Sequence, residues 1–175
     1  MTFVAGEARW LDGRVLVEKG EYLDSLAQRG YGMTEEGGRL ALSPEESLYL
    51  VAEGKMTVKD KDDREPAFRE LAEAFLRKDA EVWTRYLVFR DLRSRGYVVK
   101  EGYGLGLDFR VYDRGTYGKE PAKLIVVGVS EGKPLRIDAL VENLKMTQSS
   151  KKELVLAVID RRGEVVYYAV SPLGF

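Results

Sequence analysis

"DFRVYDRGTYGKEPAKLIVVGVS", residues 108–130, holds two apolar runs separated by a charged loop. In the first run Phe109 and Val111 alternate with Arg110 and Tyr112, the period of a strand with two unlike faces. Tyr112 ends that strand, and Pro121 stands at the threshold of a second, "AKLIVVGVS". Outward from this pair, "YVVKE" reads as a preceding strand. On the other side, Ile137, Leu140, Val141 and Leu144 recur at helical spacing, which predicts a helix over residues 136–147 with these four facing the core. "ELVLAVID" and "VVYYAV" supply two more strands, so the order is β-β-β-α-β-β. "GYGLG", residues 102–106, invites a phosphate-loop reading. A strand follows it instead of a helix, so no helix N-terminus is there to hold phosphate, and it reads as a bend between strands.

The preceding residues mix short strands and helices. "RVLVEKG" alternates like a strand, and "EYLDSLAQRG" places Leu23, Leu26 and Ala27 on one helical face with Gly30 as the stop. In "RLALSPEESLYLVAEG" a strand over residues 39–42 leads into Ser43 as N-cap, Pro44 at the first helical position and Glu46 completing a capping box. Gly54 ends that helix, and "KMTV" forms a short strand. Pro66 opens a helix whose Phe68, Leu71, Ala72, Phe75 and Leu76 share a face. Asp79 caps another, with Val82, Trp83, Tyr86, Leu87 and Phe89 inward and Gly96 at its end. The fold class is α/β of the α+β kind: a small mixed domain over residues 1–78, then the β-β-β-α-β-β domain over residues 79–175.

Composition narrows the chemistry. The chain has 175 residues, 45% of them apolar, enough to bury a core. No apolar run reaches membrane-spanning length and the N-terminus lacks the pattern of a signal peptide, so a cytoplasmic protein is expected. The 28 basic and 29 acidic residues leave a net charge of −1, so any nucleic-acid contact has to come from a local basic patch or a partner's surface. Cysteine and histidine are both absent, which removes disulfides, thiolate nucleophiles, imidazole acid–base chemistry and the usual zinc ligands. No cofactor and no metal are expected.

Several residues invite a functional reading. Asp108, Glu120 and Lys123 resemble a metal-dependent nuclease set, but Glu120 and Lys123 are three apart and point to opposite faces of a strand, so surface charge is the better account. Tyr112 suits a structural strand end as well as a catalytic role. The pair Lys151 and Lys152, at a helix-to-strand junction, is equally consistent with a solvated cap near a helix C-terminus. The last strand, from Val165 through Val166, Tyr167 and Tyr168 to Val170, is apolar on both faces; such an edge is a liability unless something pairs with it. It is followed by "SPLGF".

Taken in order, "RYLVFRDLRSRGYVVKEGYGLGLDFRVYDRG", "AKLIVVGV" and "SSKKELVLAVIDRRGEVVYYAV" closely resemble the C-terminal domain of the archaeal tRNA-splicing endonuclease family. The resemblance runs from about Trp83 to Val170, and "GRLALSPEESLYLVAEGK" is similar to that family's N-terminal domain. It implies a metal-independent cleavage of precursor tRNA at intron boundaries, by attack of a ribose 2′-oxygen on the adjacent phosphate. The products are a 2′,3′-cyclic phosphate and a 5′-hydroxyl. A tyrosine acts as general base, a histidine as general acid, and a lysine steadies the transition-state charge. Carried over, the tyrosine falls on Tyr112 and the lysine on Lys152.

The histidine belongs in an "EHAKYLV"-like stretch, which here reads "EPAKLIV" and puts Pro121 at the acid's position. Proline has neither a titratable group nor an N–H. An arginine about two helical turns before the lysine helps clamp an extruded RNA base; Lys145 stands there and lacks the planar guanidinium suited to stacking. These departures imply a chain that is no enzyme by itself. It is expected to be the structural subunit of an α₂β₂ assembly with the catalytic subunit of the tRNA-splicing endonuclease, reaching precursor tRNA through that assembly. The same resemblance places residues 165–170 at a subunit interface. It also makes the turn of Asp160, Arg161, Arg162, Gly163 and Glu164 a docking loop for the opposite dimer, although a plain β-turn fits these residues equally well. Two rivals remain: a self-sufficient homo-oligomer using Lys119 or water as acid, and a non-enzymatic RNA-binding module on the same fold.

Overall fold

A computed structural model describes residues 5–104 and 106–174. Residues 1–4, Leu105 of "GYGLG" and Phe175 of "SPLGF" lie outside the described residues. The chain divides into two compact units, the first ending at Phe89 and the second beginning at Arg90.

The first unit carries β1 (Gly6–Leu11), β2 (Arg14–Val17), α1 (Glu21–Gln28), β3 (Met33–Thr34), β4 (Leu40–Leu42), α2 (Pro44–Ala52), β5 (Met56–Lys59) and α3 (Phe68–Lys78). The strands form one sheet in the order β3-β4-β2-β1-β5, in which β1 and β5 run parallel. Local chemistry sets α2. Ser43 Oγ accepts from the Glu46 N–H at 3.2 Å, and the Glu46 carboxylate accepts from the Ser43 N–H at 2.9 Å, which closes the predicted capping box. The same carboxylate takes the Gly32 N–H at 2.9 Å, which accounts for a glutamate that is almost fully buried. Glu45 is buried too, and Arg85 answers it at 2.7 Å.

Helix α4 (Val82–Ser94) carries the chain from the first unit into the second. Val82, Tyr86, Leu87 and Phe89 are buried as expected, and so is Val88. Trp83 and Leu76 are corrections: both are exposed, and Trp83 packs edge-on against Phe68 at 6.4 Å and beside Tyr86 at 5.0 Å. An aromatic ring can satisfy its apolar contacts laterally and leave an edge in water.

The second unit contains β6 (Val98–Gly104), β7 (Leu107–Tyr112), β8 (Leu124–Ser130), α5 (Ile137–Ser149), β9 (Glu153–Ile159) and β10 (Val165–Val170), the β-β-β-α-β-β order read from sequence. Its sheet runs β10-β9-β8-β7-β6. Only β8 and β9 are parallel, because α5 is the crossover that joins them. Helix α5 lays Leu140 and Leu144 against Ile125, Val127 and Leu154. Ile137 and Val141 do not join them; they are 71% and 43% exposed, against the expectation of four inward residues. Thr147 is buried, and its hydroxyl is satisfied there by donating to the Asn143 carbonyl at 2.7 Å. No helix among the described residues is long and apolar enough to cross a membrane.

Candidate active site

The sheet of the second unit gathers residues far apart in sequence. Val111 of β7 faces Leu124 of β8, and Leu124 faces Glu153 of β9. Beyond these pairs, the Lys123 N–H reaches the Val111 carbonyl at 3.3 Å, and the Glu153 N–H reaches the Lys123 carbonyl at 3.1 Å. Tyr112, Lys123 and Lys152 therefore leave three neighbouring strands at one end of the sheet.

Lys152 is delivered there by the turn out of α5. Its N–H bonds the Thr147 carbonyl at 3.0 Å, and Lys151 before it adopts a left-handed φ of 56°, uncommon for a residue with a side chain. The Lys152 ammonium donates to the Ala122 carbonyl at 2.9 Å, one residue past Pro121. Lys152 is thus held to the residue that follows Pro121. Pro121 itself is exposed. The loop between β7 and β8 is shaped by a turn at Thr116, whose hydroxyl donates to the Asp113 carbonyl at 3.0 Å.

Tyr112 is half-buried and meets Tyr117 edge-to-face, with ring centroids 5.1 Å apart. Its hydroxyl has no hydrogen bond among the described residues. Tyr117 was not singled out in sequence; a loop aromatic five residues past a strand end carries no periodic signal. Asp108 is spent on structure, since its carboxylate accepts the Gly128 N–H at 2.7 Å. Among the described residues no group of three acidic residues is placed to hold a metal ion.

The remaining candidates are spread out. Lys145 lies exposed on α5, one turn beyond Val141. In the turn between β9 and β10, Asp160 accepts the N–H groups of Arg162 at 2.8 Å and Glu164 at 3.0 Å. The Glu164 N–H bond is foremost in holding the Asp160 carboxyl below its ordinary range. Arg162 also pairs with Asp160 and Glu164, so both acids are engaged within the turn, while Arg161 is exposed. Strand β10 is a sheet edge with Val166 and Tyr168 more than half exposed. Val165, Tyr167 and Val170 are less so, and Tyr167 points inward, its hydroxyl donating to Asp91 at 2.7 Å beneath the Arg95 guanidinium.

Residues 82–167 match the family model for the tRNA intron endonuclease catalytic C-terminal domain, and residues 6–72 match that for its N-terminal domain. A tRNA-splicing endonuclease of Methanococcus vannielii is 37% identical over 95% of this chain and 93% of its own length. One of Pyrococcus furiosus is 36% identical over 90% of this chain and 91% of its own. A tRNA-splicing endonuclease of Methanosarcina acetivorans is 35% identical over 92% of this chain, which corresponds to only 46% of that longer protein. With both domain models matched in order and full-length relatives at this identity, the chain belongs to the tRNA intron endonuclease family.

Proposed function

We propose that this chain is a structural subunit of a tRNA-splicing endonuclease, completing and supporting a histidine-bearing catalytic subunit that excises introns from precursor tRNA. The observation that carries the reading is Pro121. It occupies the position of the family's general acid, and the chain has no histidine to substitute from elsewhere. Its neighbours do not repair the loss. Glu120 is an exposed carboxylate beside it. The ammonium of Lys152 is engaged by the Ala122 carbonyl. Tyr112 and Lys152 alone form two thirds of the machinery, and losing a general acid costs about 10²- to 10⁴-fold in rate.

The assembly surface in this reading is β10, whose exposed Val166 and Tyr168 line an unpaired sheet edge. The turn at residues 160–164 is a weaker docking element, because its acids are already answered by Arg162. Mixing the purified chain with a histidine-bearing family member and an intron-bearing tRNA should give cleavage that neither gives alone. Val166→Lys with Tyr168→Lys should abolish that gain and shift the sizing profile to smaller species. Full-rate cleavage by the isolated chain would overturn the proposal.

A second reading, a self-sufficient homo-oligomer with a different acid, draws on the relatives of equal length from M. vannielii and P. furiosus, which bear the enzyme's name without a subunit qualifier. Exposed Lys119 is its candidate acid. Lys119→Ala should remove all cleavage by the isolated chain in this reading and leave the mixed assembly active in the first.

A further inference from the structure

Within "GYGLG", residues 102–104 reshape the sheet at the end of β6 and β7 away from Tyr112. Strands β6 and β7 pair regularly from Val98 opposite Tyr112 to Glu101 opposite Phe109, and the register then slips so that Gly104 faces Leu107. One extra residue is accommodated in β6, a bulge. Gly102 makes it possible: a Cβ there would lie 1.9 Å from the Leu107 carbonyl oxygen and 2.7 Å from its carbon, a backbone clash that no rotamer relieves.

The bulge changes which way Tyr103 points. Without it, alternation would put Tyr103 with Glu101 and Phe109; with it, Tyr103 joins the face of Lys100, Arg110 and Tyr112. The contacts agree, because the Arg110 guanidinium lies over the Tyr103 ring at 5.4 Å. Arg110 is held in place by donating Nε to the Glu101 carbonyl at 2.8 Å, and its two terminal nitrogens have no hydrogen bond among the described residues. Tyr103 remains 53% exposed. Arg110 is two residues from Tyr112, about 7 Å along the same face. Asp108 is the acid on this face of β7, and its carboxylate accepts the Gly128 N–H at 2.7 Å.

We propose that Tyr103 and Arg110 form a nucleotide seat on the sheet face that also carries Tyr112, toward the opposite end of β7, where an unpaired base of precursor tRNA stacks on the open face of Tyr103 and Arg110 takes an adjoining phosphate. This chain then touches RNA itself, whether or not it cleaves it; the inference rests on the reading that it works within a tRNA-cleaving assembly. An aromatic ring backed by a guanidinium fits a base better than it fits a peptide, since every base offers a π-face and every linkage a phosphate.

The experiment measures the affinity of the full chain, alone and mixed with a histidine-bearing family member, for an intron-bearing tRNA carrying 2-aminopurine at its unpaired splice-site positions. Tyr103→Ala should weaken binding roughly 5- to 150-fold and relieve fluorescence quenching at one position. Tyr103→Trp should preserve both, and Tyr103→Leu should not. Arg110→Ala should lower the dependence of log affinity on log salt by about 0.7. The proposal is overturned if the wild-type chain has no RNA affinity in either form, or if folded Tyr103→Ala binds like wild type. Rescue by Tyr103→Leu, or loss of subunit association with RNA affinity unchanged, also overturns it, since the patch is then an apolar protein contact. Failure of the mixed assembly to cleave would sink the subunit reading and leave these affinities interpretable.

Discussion

In the proposed reading, replacing Pro121 by histidine returns an imidazole to the position where the family reaction needs its acid. The surroundings admit it. Pro121 is exposed, so the ring needs no cavity, and the backbone nearby is fixed by the bond from Lys152 to the Ala122 carbonyl. Losing the proline loosens the unfolded chain and costs about 0.4–1 kcal/mol of stability, too little to unfold a domain. If Tyr112 and Lys152 stand where the reaction wants them, Pro121→His should raise cleavage by the chain about 10²- to 10⁴-fold. That corresponds to about 2.7–5.4 kcal/mol of activation free energy. The gain should depend on pH in a set direction. An ordinary histidine titrates near about 6.5 and donates only when protonated, so the gain shrinks as pH rises and falls about 100-fold by roughly two units above that value. Single-turnover cleavage of an end-labelled precursor tRNA between pH 5.5 and 8.5 measures both. A folded Pro121→His protein that cleaves no faster than wild type at pH 6 would refute the reasoning. The missing acid would then not be what separates this site from an active one.

Other outcomes concern the scaffold. Arg85→Ala leaves the Glu45 carboxylate buried without its partner and should cost about 3 kcal/mol, with Glu45→Gln recovering part of the loss in urea titrations. Ser43→Ala opens the α2 capping box and should cost about 1 kcal/mol by the same measurement. Tyr167→Phe removes a hydrogen bond to Asp91, a carboxylate that Arg95 still serves, and should cost about 1–2 kcal/mol. Burial first, then the Asp91 bond, holds the Tyr167 phenol above its ordinary value. Its share of stability is therefore complete below about pH 10 and is lost as pH rises beyond it; urea midpoints from pH 9 to 11 should fall less steeply in Tyr167→Phe.

The sequence was most informative where the deciding interactions are local. The capping box of Ser43 and Glu46 spans three residues, and Gly30 ends α1 with its N–H on the Ala27 carbonyl, so both could be read directly. The element order of the second unit along the chain was legible for the same reason: each run carries its own period and its own turn residues. What escaped depended on tertiary choices. Ile137, Leu140, Val141 and Leu144 fit one stripe, but the helix turns a narrower arc toward the sheet, in which Leu140 and Leu144 pack on Ile125, Val127 and Leu154 while Ile137 and Val141 stay exposed. Alternation also misassigns Tyr103, because counting by twos assumes no bulge, and the cause is a steric demand of Leu107 on Gly102. At the candidate site the residue types at 112, 121 and 152 were readable. The contact that fixes Lys152 to Ala122, next to Pro121, was not, since it spans 30 residues and ends on a backbone oxygen.

That contact has a mechanical side. The β8–α5–β9 crossover must bring two parallel strands into register after a long excursion, and strands paired this way have no tight turn to clamp their starts. Lys152 supplies a fastener at the mouth of the pair, its ammonium fixed to the carbonyl just before β8 while its own N–H holds the last turn of α5. A lysine with that duty has reason to stay whether or not a phosphate ever passes it. Its presence beside Pro121 is therefore silent on chemistry. Lys152→Met, which keeps the length of the side chain and drops the charge, should fray the start of the parallel pair in hydrogen exchange even with no RNA in the tube.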